Sequence, residues 1–126
     1  MTTVFIVEDH PSMQEAYALL FEQAHDLDLC GIAATAAEAR IQIPALHPAV
    51  VLVDLSLPDV SGMALVQELN RQLPDIHYVV VSGNDAASYR TLALQAGASG
   101  YLDKWDASTH LIPFLRRLVS DLPIAS

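Results

Sequence analysis

Residues 50–62 read VVLVDLSLPDVSG, and the first five of them decide the fold. The run Val50–Val53 is apolar without interruption and ends at the acid Asp54. Such a run is typical of a strand covered on both faces, as in a parallel sheet, whereas a half-solvated strand would alternate polar and apolar residues. Pro58 and Gly62 bracket the loop that follows. The stretch therefore predicts a buried strand that ends in an acid.

Four further apolar runs alternate with segments of helical period along the rest of the chain. The runs are Val4–Val7, Leu29–Ala34, Ile76–Val81 and the brief Gly100–Leu102. The apolar residues that mark helices are Met13, Ala16, Tyr17, Leu20, Phe21 and Ala24, then Leu65, Val66, Leu69 and Leu73, then Leu92, Ala93 and Ala96, and finally Leu111, Phe114, Leu115, Leu118 and Leu122. Five strand–helix units predict a single α/β domain over residues 1–126 with a parallel sheet.

Two pairs of residues have the spacing of a helix capping box. Ser12 precedes Glu15 by three residues, and Thr35 precedes Glu38 by the same interval. Each pair predicts the start of a helix, and Pro11 also suits the first position of the first of these helices. Pro44 follows the second pair, and because proline interrupts the hydrogen-bond ladder, we expect that helix to be short or kinked.

Composition excludes several classes of protein. The chain has 126 residues, of which 52% are apolar and 17% charged, so it can bury a core and is not disordered. Its net charge of −9 argues against nucleic-acid binding by this chain alone, because phosphate contacts need clustered Lys and Arg. The single cysteine, Cys30, excludes an internal disulfide and a cysteine-based metal site. With no long apolar run or signal peptide apparent, we expect a cytoplasmic protein without membrane attachment.

Polar side chains that could bind ions or take part in a reaction lie where the predicted strands end. Glu8 and Asp9 follow the first strand, Asp54 ends the third, Ser82 follows the fourth and Lys104 follows the fifth. Ligands of open parallel sheets bind at the carboxyl ends of the strands. Three converging carboxylates repel one another unless a cation compensates them, and oxygen ligands suit Mg²⁺. With an ammonium and a hydroxyl to hold phosphoryl oxygens, the set predicts Mg²⁺-assisted phosphoryl transfer to a carboxylate.

Each of these residues also has an ordinary interpretation. The acidic pair could be solvated loop residues, Asp54 could cap the segment after it, and Ser82 could be a turn residue. Lys104 could form a surface ion pair of little energetic weight. The functional hypothesis depends on the whole set recurring at successive strand ends.

The ordered set of motifs resembles the receiver domain of two-component response regulators. The matching parts are the acidic pair Glu8 and Asp9, the segment Asp54–Gly62, Ser82, and Tyr101–Lys104. The resemblance covers essentially the whole chain. It implies a flavodoxin-like, doubly wound, five-stranded parallel sheet in the order 2-1-3-4-5 with five helices.

The resemblance also implies a role for each matching residue. Asp54 would accept phosphate from a sensor histidine kinase. Asp9 would bind Mg²⁺ directly and Glu8 directly or through water, with Asp54 and the backbone carbonyl of Ser56 as further ligands. Lys104 would pair with Asp54 before phosphorylation and with the phosphoryl oxygens afterwards.

The same resemblance implies a conformational switch. Ser82 would move to hydrogen-bond the phosphoryl group, Tyr101 would turn inward with it, and the face formed by the fourth helix, fifth strand and fifth helix would change shape. The stretch Ala96–Tyr101 is similar to the subgroup whose members usually carry a C-terminal helix-turn-helix output domain. Residues 1–126 could be a stand-alone receiver or a domain of a longer protein, and this resemblance favours the longer protein. A homodimer is a further partner that the resemblance allows.

Two positions depart from the family pattern. Trp105 follows Lys104 where proline is frequent, and it could either contact a partner or cover the end of the sheet. Gly83 follows Ser82 where a larger residue such as alanine is common, which removes bulk and stiffness from the loop.

Three functions compete at this point. The first is a phosphorylation-dependent signalling switch that catalyses only its own phosphorylation and dephosphorylation. The second is a Mg²⁺-dependent aspartyl-phosphate hydrolase; such enzymes often place a second acid two residues after the nucleophile, where this chain has Ser56. The third is an interaction module independent of phosphorylation, and the presence of every phosphorylation residue argues against it. The sequence favours the switch.

Overall fold

Five parallel strands form one sheet in the order β2-β1-β3-β4-β5, as the sequence resemblance predicts. The computed structural model describes residues 1–83 and 87–120. The strands are β1 (Thr2–Val7), β2 (Leu27–Ala33), β3 (Val50–Asp54), β4 (His77–Ser82) and β5 (Gly100–Asp103). The helices are α1 (Pro11–Glu22), α2 (Ala36–Leu46), α3 (Gly62–Gln72), α4 (Ala87–Gln95) and α5 (Ala107–Ser120), with a 3₁₀ turn at Lys104–Asp106 before α5.

The strands alternate their side chains between two apolar cores, one on each face of the sheet. On one face, Val51 and Val53 pack with the buried residues of α2, α3 and α4. On the other face, Val50 and Leu52 pack with the buried residues of α1 and α5. Every residue of β3 is buried, as expected for the central strand of a doubly wound sheet.

The two predicted capping boxes have different outcomes. The prediction that Pro11 suits the start of a helix is confirmed, whereas the cap predicted at Ser12 and Glu15 is wrong: α1 begins at Pro11 after His10, whose side chain makes no capping hydrogen bond. Proline has a fixed φ suited to the first helical position, so Ser12 already lies inside the first turn. The prediction for Thr35 is confirmed, because its hydroxyl oxygen accepts the Glu38 backbone N–H at 3.1 Å.

Pro44 shortens α2 less than the sequence predicts. The helix continues past Pro44 and ends at Leu46, so the proline interrupts only its last turn. The backbone N–H of His47 closes that turn by donating to the carbonyl oxygen of Ile43 at 2.8 Å, and His47 itself takes a left-handed conformation.

Helix α4 ends in a tight turn that leads into β5. Gly97 has a φ of 106°, a left-handed value that favours glycine. Its N–H donates to the carbonyl oxygen of Leu94, and the N–H of Ala98 donates to that of Ala93, the paired bonds of a Schellman motif. This ending sends the chain directly into β5, which carries Tyr101.

Two predictions fall on parts of the chain that lie outside the described residues: the Trp105 side chain and the extension of the last helix to Leu122. Within the described part of the chain, no helix has the length and apolar character needed to cross a membrane.

Candidate functional site

The fold gathers the strand-end residues at one edge of the sheet, hereafter the carboxyl edge. Glu8 and Asp9 follow β1, Asp54 ends β3, Ser82 ends β4 and Lys104 follows β5. Strands β1 and β3 are neighbours, yet the chain leaves β1 for β2 on the opposite side before it returns to β3. Strand order therefore reverses between β1 and β3, which is where sheets of this type open a binding crevice.

Three carboxylates and a histidine converge in this crevice. One potential ligand atom from each of Glu8, Asp9, His10 and Asp54 lies within 4.8 Å of all the others. Glu8 is only 1% exposed and Asp54 only 4%. Such burial is costly for a charged group unless it is paired, so these acids are not ordinary solvated loop residues.

Lys104 is the cation that faces the buried acids. Its Nζ lies 3.0 Å from Oε1 of Glu8 and 3.4 Å from Oδ2 of Asp54. The contact with Asp54 is a hydrogen bond in which the ammonium donates. One lysine cannot neutralise three carboxylates, so the crevice retains an excess of negative charge.

Two buried carboxylate oxygens remain without an aligned hydrogen bond. Among the described residues, no aligned hydrogen bond reaches Oε1 of Glu8 or Oδ1 of Asp9, although Nζ of Lys104 lies 3.0 Å from the first and Nδ1 of His10 lies 3.2 Å from the second. A carboxylate oxygen has two lone pairs, so each of these atoms can bind a further cation beside its charge contact. The donor set is dominated by hard oxygen ligands, which fit Mg²⁺.

The cluster shifts the pKa values of its members in different directions. Burial, and then the neighbouring Glu8 carboxylate, raise the pKa of Asp54 to about 6. Burial alone would raise the pKa of Glu8, but its contacts with His10 and Lys104 outweigh that effect and hold the value below the usual range. Burial alone would lower the pKa of Lys104, but Glu8 and Asp54 raise it. Lys104 is therefore charged at neutral pH, whereas ionised Asp54 is disfavoured until a cation compensates it.

The β3–α3 loop, residues 55–61, folds back over the end of β3. The N–H of Ser56 donates to Oδ1 of Asp54 at 3.3 Å, which places the Ser56 backbone beside the acid. At the base of the loop, the N–H of Leu55 donates to the carbonyl oxygen of Val81, and the N–H of Gly62 donates to that of Leu55. Ser56 itself is exposed, so the residue lies at the rim of the crevice.

Ser82 and Tyr101 lie on the β4–β5 side of the crevice. Ser82 is buried and pairs in register with Asp103, the residue before Lys104. Tyr101 is half-buried against the core on the α2–α4 face. Gly83 is exposed, and among the described residues nothing lies within 4 Å of the place where a Cβ would be. The loop therefore has open space at the position where the family usually carries a larger residue.

Sequence reasoning missed two residues that touch the site. His10 follows Asp9 in the chain, and its Nδ1 lies 3.0 Å from Oε2 of Glu8 and 3.2 Å from Oδ1 of Asp9. Gln14 donates from its amide to the carbonyl oxygen of Glu8 at 2.6 Å. Adjacency in sequence could have suggested His10; only the fold reveals Gln14, because it lies one turn along α1.

Comparison with protein families agrees with this geometry. A model described as the response regulator receiver domain matches residues 4–116. This chain belongs to the receiver domain family. Receiver domains are the signalling domains of two-component systems, and they are generally Mg²⁺-dependent.

Relatives of this receiver domain are longer proteins. The DNA-binding transcriptional activator DevR/DosR of Mycobacterium tuberculosis is 34% identical over 104 residues, which are 82% of this chain and 48% of the relative. The transcriptional regulatory protein PmrA of Pectobacterium parmentieri is 34% identical over 116 residues, which are 92% of this chain and 51% of the relative. The chain thus spans about half the length of these curated relatives.

Solved structures of receiver domains share the fold. A two-component response regulator of the LuxR family from an Aurantimonas species superposes with a TM-score of 0.89 at 25% identity, covering 95% of this chain and 86% of that chain. The isolated receiver domain of RcsB from Salmonella enterica, in the presence of the phosphomimetic BeF₃⁻, gives a TM-score of 0.88 at 24% identity, with 95% and 89% of the two chains covered.

Proposed function

We propose that this receiver domain is a phosphorylation-dependent switch that accepts a phosphoryl group on Asp54 from a sensor histidine kinase. The observation that carries the proposal is the buried, incompletely paired acidic cluster at the end of β3. Asp54 is buried, contacts Lys104 and accepts the Ser56 backbone N–H. Glu8 also combines burial, the lysine contact and a backbone N–H, from His10, so the choice of Asp54 rests on its place at the end of β3, where the family's acceptor segment Asp54–Gly62 begins.

In the proposed step, a carboxylate oxygen of Asp54 forms a bond to phosphorus. The bond between phosphorus and the donor nitrogen of a phosphohistidine breaks, and that nitrogen keeps the electron pair. The product is an acyl phosphate, which water later hydrolyses to restore Asp54. Lys104 and the hydroxyl of Ser82 would hold the phosphoryl oxygens, because an ammonium and a hydroxyl donate hydrogen bonds to developing negative charge.

Mg²⁺ would be held by Asp9, Asp54 and the backbone carbonyl of Ser56, with Glu8 acting directly or through water. When bound, the ion supplies positive charge that offsets the carboxylates and the transferring phosphoryl group. The oxygens of Glu8 and Asp9 that lack an aligned hydrogen bond favour this ligand set. His10, within 3.2 Å of both acids, can hold their side chains in place.

The phosphorylation site is tested by intact-mass measurement after incubation with Mg²⁺ and a small-molecule phosphodonor. We expect one phosphate on the parent chain and none on Asp54→Asn. A matched control is Asp26→Asn, which removes an acid at the opposite edge of the sheet and should leave phosphorylation unchanged. A full phosphate increment on Asp54→Asn would refute the assignment.

The signal would be read on the face formed by α4, β5 and α5. Phosphorylation adds about 1.5 to 2 negative charges. Ser82 can donate to the new acceptors, and its movement would open space for Tyr101. The phosphate shifts the equilibrium only through a difference in its interactions with the two conformations, so loss of the hydroxyl should weaken the response.

Amide exchange with and without BeF₃⁻ tests this switch. The parent chain should show its largest differences between residues 82 and 104, and Ser82→Ala should reduce them while Asp54 still accepts phosphate. Changes confined to α1 and α2, or identical responses in both proteins, would contradict the proposed route.

We also infer that residues 1–126 act as the receiver part of a transcriptional regulator with a C-terminal helix-turn-helix domain. The support is that this chain spans about half of relatives named as DNA-binding or transcriptional regulators. The mass of the full native gene product tests this inference. A product no larger than this chain would contradict it without affecting the phosphorylation site.

A further inference from the structure

The first turn of α2 is capped by two residues from different parts of the chain. Thr35 accepts the N–H of Glu38 through its side chain at 3.1 Å. Asp59 accepts the N–H of Ala36 through Oδ1 and that of Ala37 through Oδ2, each at 3.0 Å. The first N–H groups of a helix have no partners within the helix. Asp59 thus takes two donors that the local cap leaves open.

Asp59 reaches α2 from the tip of the β3–α3 loop, more than twenty residues further along the chain. The loop is held at its base by the bonds of Leu55 and Gly62 and at its start by the bond from Ser56 to Asp54. Oδ1 of Asp59 also accepts the N–H of Val60 at 3.2 Å, which fixes the carboxylate relative to its own backbone. The loop is therefore tied down at both its base and its tip.

The carboxylate suits this position electrostatically. The N-terminus of a helix carries partial positive charge, which favours a negative group there. Donation from the backbone of Ala36, and then from that of Ala37, lowers the pKa of Asp59. At neutral pH the acceptor is an ionised carboxylate, and hydrogen bonds to a charged acceptor are stronger than neutral ones.

We propose that Asp59 is a positioning residue that holds the β3–α3 loop against α2 and so keeps the Ser56 backbone beside Asp54. Asp59 lies three residues from Ser56 and makes its inter-element bonds to backbone groups that cannot swing away as a side chain could. The consequence for Mg²⁺ affinity rests on the proposed function, whereas the consequence for loop order does not.

Two other contacts in the same region provide matched controls. Thr35→Ala removes a cap from the same helix without touching the loop. Glu68→Gln weakens the ion pair in which Oε2 of Glu68 lies 2.7 Å from Nε of Arg40, which ties α2 to α3 further along the helices. If Asp59 were only a helix cap or only a tie between neighbouring elements, one of these variants would reproduce its loss.

The experiment measures amide exchange in the metal-free full chain and Mg²⁺ affinity by calorimetry. In Asp59→Ala we expect faster exchange across residues 55–61 and a Kd for Mg²⁺ raised by about tenfold, the low end for loss of a group that orients metal ligands. Thr35→Ala and Glu68→Gln should leave the exchange of residues 55–61 and the Kd near those of the parent. Asp59→Asn, which keeps one carbonyl acceptor, should fall between the parent and Asp59→Ala, and it provides the test if Asp59→Ala does not fold.

Unchanged exchange of residues 55–61 in both Asp59 variants would overturn the proposal, as would equal loosening in Thr35→Ala. If the parent chain itself failed to bind Mg²⁺, the proposed function would fail, and the metal-free exchange would still decide the role of Asp59.

Discussion

The charged side chains at the two edges of the sheet differ in burial and in charge balance. At the amino edge, which lies at the start of the strands, Asp26 and Arg116 form two parallel hydrogen bonds of 3.0 Å, and about half of each side chain is exposed. At the carboxyl edge, Glu8 and Asp54 are almost wholly buried; Lys104 faces both of them, and His10 contacts Glu8. The exposed pair is balanced in charge, whereas the buried cluster has surplus negative charge and two oxygens without an aligned hydrogen bond.

This difference separates a contact that belongs to the resting fold from a site that favours a ligand. An exposed ion pair contributes little, because water and salt already screen its charges. A buried cluster with unbalanced charge lowers stability until a cation or a proton arrives, so its presence in a well-packed fold indicates a functional role. Removal of a charge should therefore stabilise the fold at Asp54 of the carboxyl edge and change its stability little at Asp26 of the amino edge.

The largest effect is expected where the backbone of the carboxyl edge is most tightly packed. A Cβ on Gly62 would overlap the carbonyl oxygen of Asp54 and would lie 2.9 Å from Cα of Leu55. Because both neighbours are backbone, Gly62→Ala should lower the free energy of unfolding by roughly 2 to 3 kcal/mol, the upper part of the range for overpacking. Urea denaturation measures the change. Gly83→Ala is the control, since its Cβ would meet no described atom within 4 Å, and an equal loss there would contradict the argument.

Removing the buried charge should stabilise the fold. Burial and Glu8 raise the pKa of Asp54 from 3.8 to about 6, so the folded chain binds this proton more tightly than the unfolded chain does. The resulting penalty is absent below pH 3.8, grows towards pH 6 and is complete above it. Asp54→Asn should therefore raise the free energy of unfolding by roughly 1 to 3 kcal/mol at about pH 8, with little gain at about pH 4.

Urea denaturation of the parent chain and Asp54→Asn across this pH range isolates the Asp54 contribution, because the other acids are common to both. Glu8 has the opposite effect on stability: because its pKa is lowered in the folded chain, it stabilises the fold at neutral pH, and this stabilisation is lost as the pH falls. A stability difference between the two proteins that is independent of pH would contradict the charge explanation.

Mg²⁺ should relieve the same penalty. At a concentration ten times its Kd, a ligand that binds only the folded chain adds about 1.4 kcal/mol to the free energy of unfolding. Thermal unfolding with and without Mg²⁺ measures this gain. Asp9→Asn should reduce it, because one charged oxygen ligand is lost, while Asp26→Asn should keep it in full. Equal stabilisation of Asp9→Asn and the parent chain would refute the role of Asp9 as a ligand.

The strands could be predicted from the sequence because their apolar runs are a local pattern. The meeting of their last residues at one edge then follows from the parallel arrangement. The apolar run Val50–Val53 is long enough to require cover on both faces, and parallel strands place their last residues at one edge. The structure indeed brings Glu8, Asp9, Asp54 and Lys104 together there. Their roles in phosphoryl transfer stay predictions.

What the sequence could not reveal depends on contacts between distant elements. The two N–H groups that Asp59 accepts belong to a helix that begins more than twenty residues earlier, and no local spacing encodes that pairing. The sequence contains two signals for the start of α1, and only Pro11 is correct: its fixed φ determines the first turn, so the capping-box spacing of Ser12 and Glu15 is misleading.

The smallest effect is expected at the amino edge. Asp26→Asn removes one partner of an exposed, hydrogen-bonded pair, and Arg116 then returns to water without a desolvation cost. We expect no measurable change in the urea midpoint at moderate salt, and any loss at low salt should vanish as salt is added, because screening removes what little the pair contributes. Unfolding measured at two salt concentrations provides the check. A large loss of stability that persists at high salt would mean that the contact between Asp26 and Arg116 stabilises the fold as strongly as a buried ion pair does. The contrast between a buried functional edge and an exposed structural edge would then fail.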